Sequence, residues 1–322
     1  MSLALHSTLS GVLTSIPSPP SNQFTLFGVL PIHYYALCII AGIIVAGILT
    51  NHRLTKRGAE KWVVIDIAIP AVVLAIIGAR IFHVVTHLSF YFGPDTNPWN
   101  PMKPGSVWAI WEGGIAIFGA LIGGAIGAWL GCRWTGIRFW TFADALAPGM
   151  LLAQALGRFG NWFNHELFGL PTDLPWGLEI DSTNPAFPPG LADGTLFHPT
   201  FLYEVIWNTL GALFLIWIGK RLRLQWGKLF ALYLIWYGAG RIVWESIRID
   251  PSEIFFGLRT NVWAAIIGVL VGIVILIVQS RRHVGVEPSP YQPGREPAAD
   301  VQSDNPDDFV DVSEPPVEAI TV

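Results

Sequence analysis

Seven apolar stretches, each roughly the length of a membrane span, constrain this chain more than any other feature. They fall at about 32–50, 62–87, 107–131, 139–156, 199–218, 229–247 and 262–278. About 20 consecutive apolar residues cross the hydrocarbon core of a bilayer as one helix. Composition fits this: 52% of the 322 residues are hydrophobic and 13% are charged, where soluble domains carry roughly 25% charged residues. An all-α, polytopic membrane protein is expected, with about seven transmembrane helices and a loop region on the outer face. The 15 tryptophans suit aromatic belts at the two membrane interfaces.

Three regions follow. Residues 1–26 are Ser/Pro-rich and read as a surface segment, 27–282 as the transmembrane domain, and 283–322 as an acidic tail. Nine acidic residues and one basic residue follow His283; with few apolar residues, that tail is expected to be disordered. Lys and Arg between the stretches set the orientation. Arg53, Lys56, Arg57, Lys61, Arg133, Arg138, Lys220, Arg221, Arg223, Lys228, Arg281 and Arg282 fall on one side. Lys103, Arg248, Arg259 and, at its edge, Arg158 fall on the other. The first side therefore reads as cytoplasmic, with the N-terminus outside and the C-terminus inside. No basic region precedes the first apolar run, so a cleaved signal peptide is not expected. Cys38 and Cys132 are too far apart in sequence to suggest a disulfide framework or metal spacing.

The third stretch carries Gly119, Gly123, Gly127 and Gly131 at four-residue steps. Such a small-xxx-small ridge lets a neighbouring helix approach closely. A phosphate-binding glycine loop is disfavoured, because no Lys-Ser/Thr follows. Charges inside apolar stretches cost about 2.5–3.5 kcal/mol each on insertion scales, so Arg80, Glu112, Asp144, Glu204, Arg241 and Glu245 call for a reason. Arg241 and Glu245 are one helical turn apart and can pair.

The densest polar run is Gly157-Arg158-Phe159-Gly160-Asn161-Trp162-Phe163-Asn164-His165-Glu166-Leu167-Phe168-Gly169. Its glycines permit sharp turns and close approach to a ligand. Arg158 at a helix end can simply snorkel to the interface. Its joint occurrence with Arg241, Asn161 and Glu166 also fits an anion site, because guanidinium forks grip phosphate oxygens in pairs and stay charged in a low dielectric. His83 reads as a packing residue or a base, and His198 as a cap or a catalytic partner. Tyr35 and Tyr237 are packing residues by default, with hydroxyls able to bond a lipid ester or phosphate.

The 157–169 run resembles the signature of the bacterial prolipoprotein diacylglyceryl transferases. Supporting motifs fall in the same order: His33-Tyr34-Tyr35, Gly78-Ala79-Arg80, Glu112-Gly113-Gly114, Asp144, His198-Pro199-Thr200-Phe201-Leu202-Tyr203-Glu204 and Tyr237-Gly238-Ala239-Gly240-Arg241-Ile242-Val243-Trp244-Glu245. The likeness covers about residues 25–282. It implies a seven-span enzyme of the bacterial cell membrane, needing no metal or organic cofactor and no nucleic acid. Such an enzyme takes diacylglyceryl from phosphatidylglycerol, among the membrane lipids around it. It places that group on the lipobox cysteine of a preprolipoprotein, forming a thioether and releasing glycerol phosphate.

By that likeness Arg158, Arg241, Glu166 and Asn161 are catalytic, and Arg158, Arg241, Tyr35, Tyr237, Glu245 and Gly169 contact substrate. Arg80, His83 and His198 are further substrate-side candidates. One departure stands out: many members carry a histidine where this chain has Phe118, so that residue is not the base here. Two other readings fit intramembrane arginines. A transporter or channel for an anionic solute would usually show an internal repeat, and none is evident. A non-catalytic lipid-binding protein would leave lipobox peptides unmodified.

Overall fold

A computed structural model describes residues 15–93, 97–101 and 105–296. Among these, seven helices of 19 to 25 residues carry the architecture: α1 (Tyr34–Thr55), α2 (Val63–Thr86), α4 (Ile117–Thr135), α5 (Phe139–Phe163), α6 (Thr200–Arg221), α7 (Lys228–Ser246) and α8 (Thr260–Arg282). A single-turn helix, α3 (Leu88–Tyr91), follows α2. Three two-stranded antiparallel hairpins decorate the ends: β1 (Gln23–Leu26) with β2 (Leu30–His33), β3 (Leu178–Glu179) with β4 (Leu196–Phe197), and β5 (Ile254–Phe255) with β6 (Leu258–Arg259). Five helices, α1, α2, α4, α6 and α8, are long and apolar enough to cross a membrane. The other two, α5 and α7, are as long but carry Asp144, Gln154 and Arg158, and Lys228, Arg241 and Glu245. The protein is thus a mostly helical, polytopic membrane protein. Its apolar side chains point outward, as a bilayer solvent requires: Ile43, Ile69, Leu121, Leu213 and Ile267 are all more than half exposed.

The helices pack as antiparallel neighbours through small residues. The ridge of Gly119, Gly123, Gly127 and Gly131 lies against α2, where a Cβ on Gly131 would stand 2.7 Å from the Ile67 Cα. Cβ atoms on the other three would overlap backbone carbonyls of Gly78, Leu74 and Pro70. Dispersion between backbones, unavailable to larger residues, is the gain, since lipid removes the hydrophobic drive between helices. Helices α1 and α5 meet the same way, Gly42 on Ala153 and Gly149 on Ala46. Helix α6 runs antiparallel to α7. There the Trp207 and Trp236 rings stack, and each indole N–H donates to the other's backbone carbonyl at 3.1 Å.

Several polar groups on the long helices have structural partners. Asp144 accepts from the Gly227 and Phe230 backbone N–H groups (2.8 and 2.9 Å), satisfying donors at the start of α7 that have no partner within that helix. Gln154 donates to the Tyr233 hydroxyl at 2.9 Å. Buried Arg80 has no carboxylate partner among the described residues. It instead donates to five backbone carbonyls, those of Ser106, Val107, Ala109, Gly113 and Gly114, at 2.7–3.3 Å.

That arginine explains one departure from the sequence-based boundaries. The third apolar stretch, expected from residue 107, becomes α-helical only at Ile117, after a single 3-10 turn at Ile110–Glu112. Residues 107–116 instead wrap their carbonyls around Arg80, and Gly113 and Gly114 take positive φ values of 91° and 70°. The first stretch starts later than expected because 30–33 form β2. The fourth runs seven residues further, to Phe163, because Gly157 and Gly160 stay helical.

The tail also departs from expectation over its first residues, for 284–296 dock on the loops at one end of the bundle. Tyr291 pairs with Ile137 in an isolated bridge, and its buried hydroxyl accepts the Glu60 N–H at 2.8 Å. Arg138 donates to the Tyr291 carbonyl at 2.6 Å, and Glu287 accepts the Trp226 N–H at 2.8 Å. Burial pushes the Tyr291 hydroxyl pKa above its ordinary value. The rest of the expected disordered tail, 297–322, lies outside the described residues, as do residues 1–14 of the surface segment.

Candidate active site

At the opposite end of the bundle, three helices bring their charged residues together. Arg158 sits in the last two turns of α5, Glu204 in the first turns of α6, and Arg241 near the end of α7. Antiparallel packing of α5 and α7 on α6 puts all three at one level. Glu204 lies between the two arginines, with Arg158 Nη2 at 2.8 Å and Arg241 Nη1 at 3.2 Å from the same carboxylate oxygen. The two guanidinium groups therefore meet across adjacent helices.

The network extends both ways. On the α5 side, Arg158 donates to Asn161 Oδ1 (3.1 Å), whose amide donates to Glu166 Oε1 (2.8 Å); Asn164 reaches the same oxygen at 3.3 Å. On the α7 side Arg241 pairs with Glu245 one turn on. Glu245 is fully buried and also takes Arg248 Nη1 at 3.0 Å and the Asn261 amide at 2.9 Å. Asp250 closes the chain, accepting from Arg248 at 2.7 Å and from Arg259 at 2.9 Å. Four arginines thus face Glu166, Glu204, Glu245 and Asp250. Burial is uneven: the Arg158 and Arg241 side chains keep 16% and 12% of their surface exposed, against 4% for Glu204 and none for Glu245. Glu204 and Glu245 lie underneath, and Arg158 and Arg241 line the accessible side, an arrangement suited to an incoming anion.

The turn that follows α5 is rigidly held. His165 and Leu167 take positive φ, 53° and 61°, without being glycine, which is uncommon and needs support. That support comes from three segments. The His165 Nε2 lies 2.7 Å from the Pro19 carbonyl, Asn184 donates to the His165 carbonyl, and Thr200 donates to that of Leu167. Two glycines are needed for close approach rather than for turning. A Cβ on Gly160 would overlap the Tyr35 ring, and one on Gly169 would stand 2.8 Å from the His198 Cβ and 3.1 Å from the Ile247 carbonyl oxygen. Tyr35 thereby packs on the α5 face that carries Gly160. Tyr237, one turn before Arg241, stacks on Tyr233 with 6.0 Å between ring centroids.

The remaining candidates have other neighbours. His198 Nδ1 lies 3.0 Å from the Tyr203 hydroxyl, and its carbonyl accepts the Gly169 N–H. His83 Nδ1 lies 3.0 Å from the Tyr91 hydroxyl, and its ring stacks on His87. With Arg80, His83 lines a separate cavity of about 330 Å³ beside Glu112–Gly114. The described polar partners of the Arg80 and His83 side chains all fall within 87–114, whereas Arg158, Asn161, Glu166, Arg241 and Glu245 share one network. The sequence marked Glu204 as a costly charge and part of the 198–204 motif, used Arg248 and Arg259 only to set orientation, and gave no role to Asp250 or Asn261. A carboxylate one turn into an apolar helix, as at Glu204, was the available signal.

Comparison with known proteins bears directly on this site. The family model described as prolipoprotein diacylglyceryl transferase matches residues 22–278. The chain is 59% identical over 302 residues to a phosphatidylglycerol–prolipoprotein diacylglyceryl transferase of Leifsonia xyli subsp. xyli, covering 92% of this chain and 90% of that one. Proteins of the same name are similar in Cutibacterium acnes (47% identical, 84% of this chain and 88% of the relative) and Streptomyces coelicolor (43%, 85% and 84%).

Proposed function

This chain belongs to the prolipoprotein diacylglyceryl transferase family, and we propose that Arg158 and Arg241, bridged by Glu204, grip the phosphate of its phosphatidylglycerol substrate. The protein is a transferase that moves a diacylglyceryl group from phosphatidylglycerol to a prolipoprotein. The observation that carries the site assignment is the shared carboxylate: two cations on neighbouring helices, held at one level, with their outer edges accessible.

In the reaction, the lipobox cysteine sulfur attacks the glycerol carbon of the diacylglyceryl group that bears the phosphate oxygen. A C–S bond forms as the C–O bond breaks, and the electron pair departs on glycerol phosphate. Charge builds on that leaving group, where two preorganised guanidinium groups stabilise it most; donors of this kind are typically worth about 10²–10³ in rate. A free cysteine has a pKa near 8.5, so the thiol proton needs an acceptor. Glu166 is the candidate base bonded into the arginine network, through Asn161, and takes that role here. Tyr35 and Tyr237 flank the headgroup, Glu245 fixes Arg241, and Gly169 lets the loop close on His198. Arg80 and His83, in their separate cavity, contact a more distant part of a substrate.

All seven long helices cross the membrane, α5 and α7 shielded by the other five. Residues 27–282 form the transferase domain, the N-terminus lies outside, and the C-terminal tail is cytoplasmic. Arg158 and its partners then face the outer leaflet, where an exported lipobox cysteine arrives. Incubating the purified protein with phosphatidylglycerol and a lipobox peptide, followed by mass spectrometry of the cysteine, tests the reading. A diacylglyceryl adduct that vanishes in Arg158→Ala and Arg241→Ala proteins supports it. Near-normal transfer by either variant refutes the grip, and lipid or phosphate flux through liposomes without thiol modification would point to a transporter.

A further inference from the structure

Far from the arginine pair, the C-terminal ends of α1 and α6 diverge around a cavity of about 370 Å³. About 21 Å of helix rise along α5 separates its level, marked by Asp144, from Arg158. Its lining includes Arg53, Lys56 and Arg57 of the α1 end and Lys220 and Arg223 of the α6 end, and no carboxylate. Basic residues at helix C-termini are ordinarily explained by the helix dipole, but two features here exceed that explanation. The cations of two different helices converge on one space, and the Arg53 Nε is buried without a hydrogen-bond partner. The nearest acids are otherwise engaged. Glu287 stands 3.8 Å from Arg57 but is held by Thr141 and the Trp226 N–H. The Asp144 carboxylate is taken by the start of α7. Above the charged rim, Leu49 and Ile216 line the wall, and Ile48, Leu213 and Trp217 lie exposed on the same two helices.

We propose that this cavity binds the phosphate of an anionic lipid headgroup in the leaflet at this end of the bundle. Its cations would meet the phosphate oxygens while the flanking apolar side chains meet the acyl chains. Basic pockets between membrane helices recognise such headgroups, and each nearby Lys or Arg strengthens the binding roughly fivefold. The bound lipid is a ligand and not the reacting substrate, since the cavity lies at the opposite end from the candidate active site.

The full-length protein in phosphatidylcholine nanodiscs, with phosphatidic acid carrying a diazirine on its first acyl methylenes, provides the test. Crosslinks should map to peptides spanning 44–57 and 213–225, and labelling should fall at least about tenfold in a K56Q/K220Q/R223Q protein. All three positions are exposed, and peptide modification by this variant should stay within about twofold of normal. Unlabelled phosphatidic acid should displace the probe and millimolar inorganic phosphate should not. Displacement by inorganic phosphate at equal concentration would overturn the lipid assignment in favour of a free anion. Equal labelling of variant and parent, or crosslinks confined to other helices, would overturn the site. If the triple variant does not fold, R53K, which keeps the charge and loses the fork, gives the same reading. Weakened labelling supports the site, and unchanged labelling refutes it.

Discussion

Replacing Glu204 with Gln perturbs the one residue that joins the two arginines while leaving both in place. The Glu204 carboxylate accepts from Arg158 at 2.8 Å and from Arg241 at 3.2 Å, and its side chain is 4% exposed. A glutamine of the same shape can keep one oxygen where both guanidinium groups meet, but its NH2 replaces the second oxygen, which accepts from Arg241 at 3.3 Å, so one charge-assisted hydrogen bond is lost. Such bonds contribute about 1.5–3 kcal/mol. The remaining carboxylates, Glu245 above all, still neutralise Arg241, so the full 3–5 kcal/mol cost of orphaning a buried charge is not expected. Converted to rate, the loss is roughly ten- to 150-fold in kcat/KM. Transfer of diacylglyceryl to a lipobox peptide, measured over a range of phosphatidylglycerol in mixed micelles, reads it directly. Thermal unfolding of the same preparation separates misfolding from misalignment. An unchanged or raised kcat/KM would refute the reasoning, because it would mean that Glu204 competes with the lipid phosphate instead of aligning the cations.

Other outcomes follow from the same geometry. Gly160→Ala puts a methyl group into the Tyr35 ring, and overpacking of this kind costs about 1–3 kcal/mol. Transfer should fall while Gly47→Ala, with nothing within 4 Å of the added carbon, behaves as the parent protein. Gly123→Ala should push α2 from α4 and lower the unfolding temperature, because its Cβ would overlap the Leu74 carbonyl; an unchanged temperature would refute the ridge contact. Tyr291→Phe removes the bond from the Glu60 N–H, about 1 kcal/mol, so proteolysis of the 284–296 segment should accelerate. The Tyr291 pKa is raised in the folded protein. Its contribution is therefore complete below the ordinary tyrosine value of about 10 and lost as pH rises beyond it. Docking measured by proteolysis should weaken above that pH in the parent and show no such tyrosine-dependent loss in Tyr291→Phe.

Helix positions were legible because membrane-length apolar runs have few alternatives, and the Gly119–Gly131 ridge because four-residue spacing puts small residues on one face. Both guanidinium groups that meet at Glu204 were legible, as arginines in or beside apolar stretches need a purpose. Their common partner was harder to find. Glu204 and Arg241 are 37 positions apart, and only the antiparallel packing of α6 on α7 places them together. Arg248 and Arg259 read as surface charges because their role depends on β5 and β6 folding back over Glu245. The partners of Arg80 were not legible: five carbonyls satisfy it, and no sequence pattern announces carbonyl ligands. The docking of 284–296 was hidden because its polar, Pro-rich composition looks unstructured until Tyr291 and Glu287 find partners on three separate loops. The helical Gly160 shows the same limit, since a glycine that admits a neighbour's ring is indistinguishable in sequence from one that turns the chain.

A double-substitution cycle on Arg158 and Arg241 probes most directly whether the two arginines act on one lipid phosphate. Transfer rates are measured for Arg158→Gln, Arg241→Gln and the double variant, with folding checked for each. Groups that act as a unit are strongly non-additive. Each single variant should lose most of the activity, and the double variant should be little worse than either. Losses that multiply, or a single variant that retains near-normal transfer, would contradict a shared phosphate.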